Sequence, residues 1–154
     1  MSVDKAKGQF SKILVAIDGS QSSMDAAEYA IEMVRKDGAQ LIALTVNRLP
    51  LSSYGVSTPQ DEVEYSKEKE DMNESGQYLD NISQMAKQKS VEIKTKILST
   101  QMSIEGAIVE YAESQGVDLI VIGTRGRSGL KKMLLGSVAS GVATYATCPV
   151  MVVK

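Results

Sequence analysis

Four stretches of this chain are near-continuous runs of apolar, largely β-branched residues, and that pattern narrows the choice of fold more than any other feature. The runs are SKILVAI (11–17), AQLIALTV (39–46), VDLIVIG (117–123) and PVMVVK (149–154). Strands of this kind must be covered on both faces, which is the condition inside a parallel sheet. A fifth stretch, VEIKTKIL (91–98), alternates instead, with Val91, Ile93, Thr95 and Ile97 set against Glu92, Lys94 and Lys96. Period two marks a strand with one wetter face, at a sheet edge.

Helical periodicity fills the gaps. Ala27, Ala30, Ile31 and Val34 recur at i, i+3, i+4 and i+7, the spacing of one helix face. Ser22 with Asp25 approximates a capping box, and Gly38 after Arg35 and Lys36 is a stop. Met72, Leu79, Ile82 and Ala86 predict a second helix, with Gly76 as a weak point and the charged EVEYSKEKED ahead of it as a solvated face. Ile104, Ala107, Ile108, Tyr111 and Ala112 predict a third helix ending at Gly116, and SVASGVATYA a fourth before Pro149. The resulting order, β-α-β-α-β-α-β-α-β, implies the α/β class with helices on both faces of a parallel sheet. Right-handed crossovers leave few topologies for it. At 154 residues the chain is expected to be a single domain over 1–154. Residues 1–10 read as a loosely ordered tail, and 47–61, rich in Pro, Ser and Gly, as a long loop.

Charge is unevenly spread. The net charge is −2, which argues against a general nucleic-acid binder. Yet no Asp or Glu follows Asp118, while Arg125, Arg127, Lys131, Lys132 and Lys154 all do. That end suits an anion. The single cysteine, Cys148, has no internal partner and reads as a buried, reduced thiol. No signal-peptide core and no apolar run of about 20 residues is present. The expectation is a cytoplasmic protein without membrane insertion.

In an open parallel sheet, ligands bind beyond the carboxyl ends of the strands, where strand order reverses. Three features arrive there: Ala16-Ile17-Asp18-Gly19-Ser20, Thr45-Val46-Asn47, and the stretch GTRGRSGLKKMLLGS from Gly123 to Ser137. The last is neither a Walker A loop nor GxGxxG. Gly123 and Gly126 would allow close backbone approach and positive φ. Gly136-Ser137 would present free N–H groups at the start of the last helix, where the dipole favours phosphate. Arg125 and Arg127 add charge-assisted donors. Two donor sets flanking a loop suit a chain of phosphates better than one carboxylate.

The spacing Gly123-x2-Gly126-x9-Gly136-Ser137 resembles the signature G-2x-G-9x-G-(S/T) of the ATP-binding branch of the universal stress protein family. The resemblance extends through Ile-Asp-Gly-Ser after the first strand, Asp-Leu-Ile-Val-Ile-Gly before the signature and Cys-Pro-Val-Met-Val-Val at the end. It implies a single-domain, open five-stranded parallel sheet of Rossmann-like, adenine nucleotide alpha hydrolase-like type, with strand order 3-2-1-4-5. It also implies a homodimer through the last strand, Val150 to Val153, and ATP at the carboxyl edge. On that resemblance Asp18 and Val46 hold the adenosine end, with Ala16 and Ile17 nearby. Gly123, Arg125, Gly126, Gly136, Ser137 and Val138 hold ribose and phosphates, with Arg127 beside them, and Mg²⁺ or Mn²⁺ sits mainly on phosphate oxygens.

Each of these residues also has a plainer role open to it. Asp18 can cap a turn or the first helix. Gly136 can serve helix–sheet packing, Ser137 can be an N-cap, and Arg125, Arg127, Lys131 and Lys132 can be a solvated loop. Three functions compete: a nucleotide-dependent regulator with a regulatory protein partner, a slow or partner-stimulated ATPase or phosphotransferase, and a dimeric interaction protein with a non-essential site. The chain has no His, and no acid lies between Gly123 and the C-terminus. A general base would have to come from Asp18 or the 47–61 loop. The balance favours binding over turnover.

Overall fold

The structure, a computed structural model, describes residues 10–49, 59–124 and 135–154, with residues 59–66 described by their backbone. Five strands, β1 (Lys12–Ala16), β2 (Gln40–Arg48), β3 (Ile93–Thr100), β4 (Leu119–Gly123) and β5 (Val150–Val153), alternate with four helices. These are α1 (Gln21–Asp37), α2 (Pro59–Gln88), α3 (Ile104–Ser114) and α4 (Ser137–Tyr145). All strand pairs are parallel, in the order β3-β2-β1-β4-β5. The order reverses between β1 and β4, as the expected 3-2-1-4-5 topology requires.

The apolar runs behave as their composition dictates. Alternate residues of each strand point to opposite faces and meet a different helix pair. On one face Ile13, Val15, Leu41, Ala43, Leu119 and Val121 pack against Ala27, Ile31 and Val34 of α1 and Leu79, Ile82 and Ala86 of α2. On the other, Leu14, Ile42, Leu44 and Ile120 pack against Ile108 and Ala112 of α3 and Ala139 and Val142 of α4. Ile13, Leu14, Leu41, Leu44 and Ile120 are completely or almost completely buried, each contributing about 1.5–3 kcal/mol of transfer free energy. Asp118 fixes the amino edge: its carboxylate accepts from the Ser11 and Lys12 N–H groups at 2.8 and 3.0 Å.

Several boundaries differ from the sequence reading. The cap of α1 is Ser20, whose hydroxyl accepts from the Ser23 N–H, rather than Ser22. Gly38 does stop the helix, in the left-handed conformation at φ 70°. β2 runs on to Arg48, so the expected loop 47–61 begins later, and α2 already starts at Pro59. Of that loop, residues 50–58 lie outside the described residues, as do 1–9 of the expected N-terminal tail. Gly76 does not interrupt α2. The inward stripe of that helix is Ser75-Leu79-Ile82-Ala86, whereas Met72 is exposed. β3 is an edge strand, as its alternation predicts, displaced two residues toward the C-terminus.

Candidate functional site

A cleft of about 780 Å³ opens at the carboxyl edge of the sheet, across the point where strand order reverses. Parallel strands all end there, so short turns from β1, β2 and β4 deliver their residues to one place. Ala16, Ile17, Asp18, Val46, Gly123, Gly136, Ser137 and Val138 all line it. Arg125, Gly126 and Arg127 lie outside the described residues, together with Lys131 and Lys132.

The turn after β1 is built by Asp18. Its Oδ1 accepts from the Ser20 N–H at 2.9 Å and from the Ser20 hydroxyl at 2.5 Å, while Gly19 turns the chain at φ 84°. The Tyr78 ring packs directly on Gly19, where an added Cβ would come within 2.6 Å of Cε2. The plainer role weighed for Asp18 is therefore realised. One carboxylate oxygen, Oδ1, holds the turn.

Gly123 serves packing. A Cβ there would lie 2.7 Å from the Ser22 carbonyl carbon and collide with the Ser22 hydroxyl. Gly123 is not among the positive-φ residues, so the left-handed conformation allowed for it in the sequence reading is not used. What Gly123 provides is a seat for the first turn of α1, which brings Asp18 and the α1 N-terminus against the end of β4.

The two described ends of the glycine-rich stretch are held together. The Gly136 N–H donates to the Thr124 carbonyl at 2.7 Å, and Thr124 is tied to β5 through Val153 at 2.9 Å. Gly136, not Ser137, is the N-cap of α4, with φ −63° and ψ 158° and no side-chain cap bond. Ser137 is the first helical residue. The N–H groups of Ser137, Val138 and Ala139 have no carbonyl one turn back, as at any helix start, and bond to no other described residue. They are a ready anion site at the cleft wall.

Apart from Thr45 and Asn47, which the sequence reading brings to this edge, sequence reasoning missed the rest of the lining. Leu44, Ile104, Ile108 and Ile122 form an apolar floor on the α3–α4 side. On the α2 side stand Thr45, Asn47, Ser75 and Tyr78, with Lys67, Glu68, Asp71 and Glu74 toward the rim. The buried Ser75 hydroxyl donates to Asn47 Oδ1 at 2.9 Å. The Thr45 hydroxyl is buried without a partner among the described residues. Ser75 was recoverable from the helical stripe, since 75, 79, 82 and 86 fit the period better than 72 does. Asn47 is marked locally by its place at the end of Thr45-Val46-Asn47, but nothing local marks its bond to Ser75.

Among the described residues no cluster of three His, Cys, Asp or Glu could hold a metal ion, and no helix is long and apolar enough to cross a membrane. Cys148 is half-buried against the α3–α4 core, away from the cleft lining. Burial pushes its thiol above the ordinary range, which leaves it a poor nucleophile at neutral pH. The arrangement offers an apolar floor, backbone donors at the start of α4 and a polar wall.

Comparison with known proteins follows the geometry. The family model described as "Universal stress protein family" matches residues 9–154. The universal stress protein YxiE of Bacillus subtilis is 36% identical over 153 residues, covering 94% of this chain and 99% of that protein. Among solved structures, the universal stress protein UspA from Lactobacillus plantarum superposes with a TM-score of 0.83 at 25% identity, over 95% of this chain and 99% of that one. A universal stress protein in complex with cAMP superposes with a TM-score of 0.64, also at 25% identity, over 95% and 98% of the two chains.

Proposed function

The chain belongs to the universal stress protein family, and from that premise we propose that its cleft binds ATP and that the protein acts as a nucleotide-dependent regulator in the stress response. The observation that carries the proposal is the start of α4. With Gly136 as the cap, the N–H donors of Ser137, Val138 and Ala139 meet no acceptor among the described residues, beside Thr124 and at the wall of a cleft whose floor is apolar. Phosphates take those donors. The nucleoside lies toward β1 and β2, against Val46 and the free side of Asp18. Arg125 and Arg127 supply further charge from the segment that follows Thr124. A family member with the same fold is solved with a nucleotide, cAMP, which supports a nucleotide as the ligand class. Mg²⁺ or Mn²⁺ would ride on the phosphate oxygens. A second copy of the chain pairs along β5, and a regulatory protein reads the nucleotide-bound form.

Binding is preferred to turnover because the chain lacks His and because Asp18 is engaged with Ser20. Helix α2 also brings Glu68, Asp71 and Glu74 to the cleft, acids the sequence reading did not count as candidate bases, and of these Glu74 accepts from the Tyr78 hydroxyl. Titration calorimetry with Mg-ATP is expected to give a Kd of about 1 μM or tighter, roughly −8 kcal/mol. Gly136→Val should lose that heat, and valine is compatible with the extended backbone found at Gly136. No heat from the wild type, equal heat from the variant, or tighter binding of cAMP than of ATP would overturn the assignment. Multiple-turnover ADP formation above the Gly136→Val control would replace the regulator by an ATPase.

A further inference from the structure

The α2 side of the cleft takes no part in the donor set at α4, yet its residues change character where they reach the cleft. On one face of β2, Leu41 and Ala43 are apolar and buried, and Thr45 and Asn47 follow at the same parity. On the facing stripe of α2, Ala86, Ile82 and Leu79 are apolar and buried, and Ser75 comes next. Two elements far apart in sequence thus switch from apolar to polar at one level. A buried polar side chain in a core stripe calls for an explanation in a way that an exposed one does not.

The hydrogen bonds supply part of it. The Ser75 hydroxyl, on a residue only 2% exposed, donates to Asn47 Oδ1 at 2.9 Å. That bond fixes the carboxamide with its nitrogen turned the other way. Among the described residues the acceptor Nδ2 meets is Met72 Sδ at 3.4 Å, and a thioether is a weak acceptor. An amide nitrogen carries two hydrogens, so at least one strong-donor position is left to the cleft that Asn47 lines. Beside it the buried Thr45 hydroxyl has no described partner, so this wall holds more hydrogen-bonding capacity than the protein itself consumes.

We infer that Asn47 contacts the nucleoside end of the bound nucleotide, donating from Nδ2 to a ring nitrogen of the base, and that Ser75 is the positioning residue that orients it. The inference rests on the nucleotide reading above and deepens it. The placement is consistent in scale. Phosphates at the α4 N-terminus stand beyond β4, and β2 lies two strand spacings away through β1, about 10 Å. A nucleotide laid along the carboxyl edge brings its base to β2. Val46 then packs on the base by contact alone, and Asn47 adds the direction-dependent contact that packing lacks.

Calorimetry with Mg-ATP on the whole chain, for the wild type, Asn47→Ala, Ser75→Ala and the double variant, tests this. Asn47→Ala is expected to weaken ATP about threefold to tenfold, the range of one hydrogen bond. Ser75→Ala should weaken it less, and the double variant should match Asn47→Ala, since Ser75 acts only through Asn47. The double variant leaves neither group buried without its partner, so it reports even where Asn47→Ala alone is poorly folded. Inorganic tripolyphosphate, which engages the α4 end only, should displace ATP from wild type and Asn47→Ala with the same inhibition constant. Unchanged ATP affinity in Asn47→Ala and in the double variant overturns the inference. So does a parallel loss of tripolyphosphate, failure of tripolyphosphate to displace ATP from the wild type, or additive effects of the two substitutions. Absence of ATP binding by the wild type overturns the nucleotide reading instead, and this inference with it.

Discussion

Single residues in this protein do two kinds of work at the cleft, and their surroundings tell which. Gly123 opens the glycine-rich stretch, but its hydrogen is needed because Ser22 occupies the space where a side chain would be. Asp18 is at once a turn-former, through Ser20, and a wall of the cleft. Thr45 is the reverse case, a buried polar group with no partner among the described residues. An unpaired buried hydroxyl is a cost to the ligand-free protein. Thr45→Val keeps the shape and the strand preference, so it should stabilise the ligand-free protein by about 1 kcal/mol. The check is the urea midpoint at constant m. A lowered midpoint would mean that the hydroxyl is paired in the folded state, contrary to the geometry.

Among the elements, α2 is the one whose length matters. It runs Pro59–Gln88, and a helix of that size extends roughly 45 Å, well past a strand of eight residues at roughly 26 Å. Its C-terminal half packs on the sheet, and its charged N-terminal half continues beyond the carboxyl edge, which is how Lys67, Glu68 and Asp71 come to line the cleft. Helices α1 and α2 are tied at their far ends. Glu32 on α1 accepts from Lys89 at 2.7 Å, just past α2, and from Arg35 at 3.0 Å. Those two bonds, Lys89 first, hold the Glu32 carboxyl below its ordinary value of 4.5. A depressed carboxylate pKa means the stabilisation is present above the unfolded-state value and is lost as pH falls through the folded-state value. The stability difference between wild type and Glu32→Gln should therefore be small, salt-sensitive and present at pH 7. It should vanish as the pH is taken below 4.5 through the lowered pKa. A difference unchanged by pH would exclude the ion pairs as its source.

For the whole molecule, the open edges of the sheet decide what assembles. β3 and β5 are the two edge strands. β3 carries Lys94 and Lys96, exposed charges that discourage pairing with another chain. β5 is four residues of Val and Met with no charge until Lys154. The proposed homodimer therefore uses β5. Sedimentation equilibrium at micromolar concentration should give twice the chain mass, and a single-chain mass throughout would refute that pairing. The same strand is bonded to Thr124 through Val153, so the strand of the proposed dimer also anchors the end of β4.

The amino-acid order alone determined the class and most of the elements. Four doubly apolar runs and one alternating run, separated by helical periods, suit a parallel sheet covered on both faces, and Gly38 and Gly116 mark helix ends. It also located β1, β2, β4 and α4 as the cleft-bearing elements, because strand ends and helix starts are local events. The tertiary structure alone decided which role each residue takes there. Ser75 and Asn47 are 28 residues apart, and nothing in either neighbourhood encodes their bond. Gly123 answers to Ser22, and Gly19 to the Tyr78 ring, at a distance along the chain that no period spans. Local pattern reports what a residue prefers to be next to. Only packing, which brings remote segments within van der Waals and hydrogen-bond range, reports what it is next to.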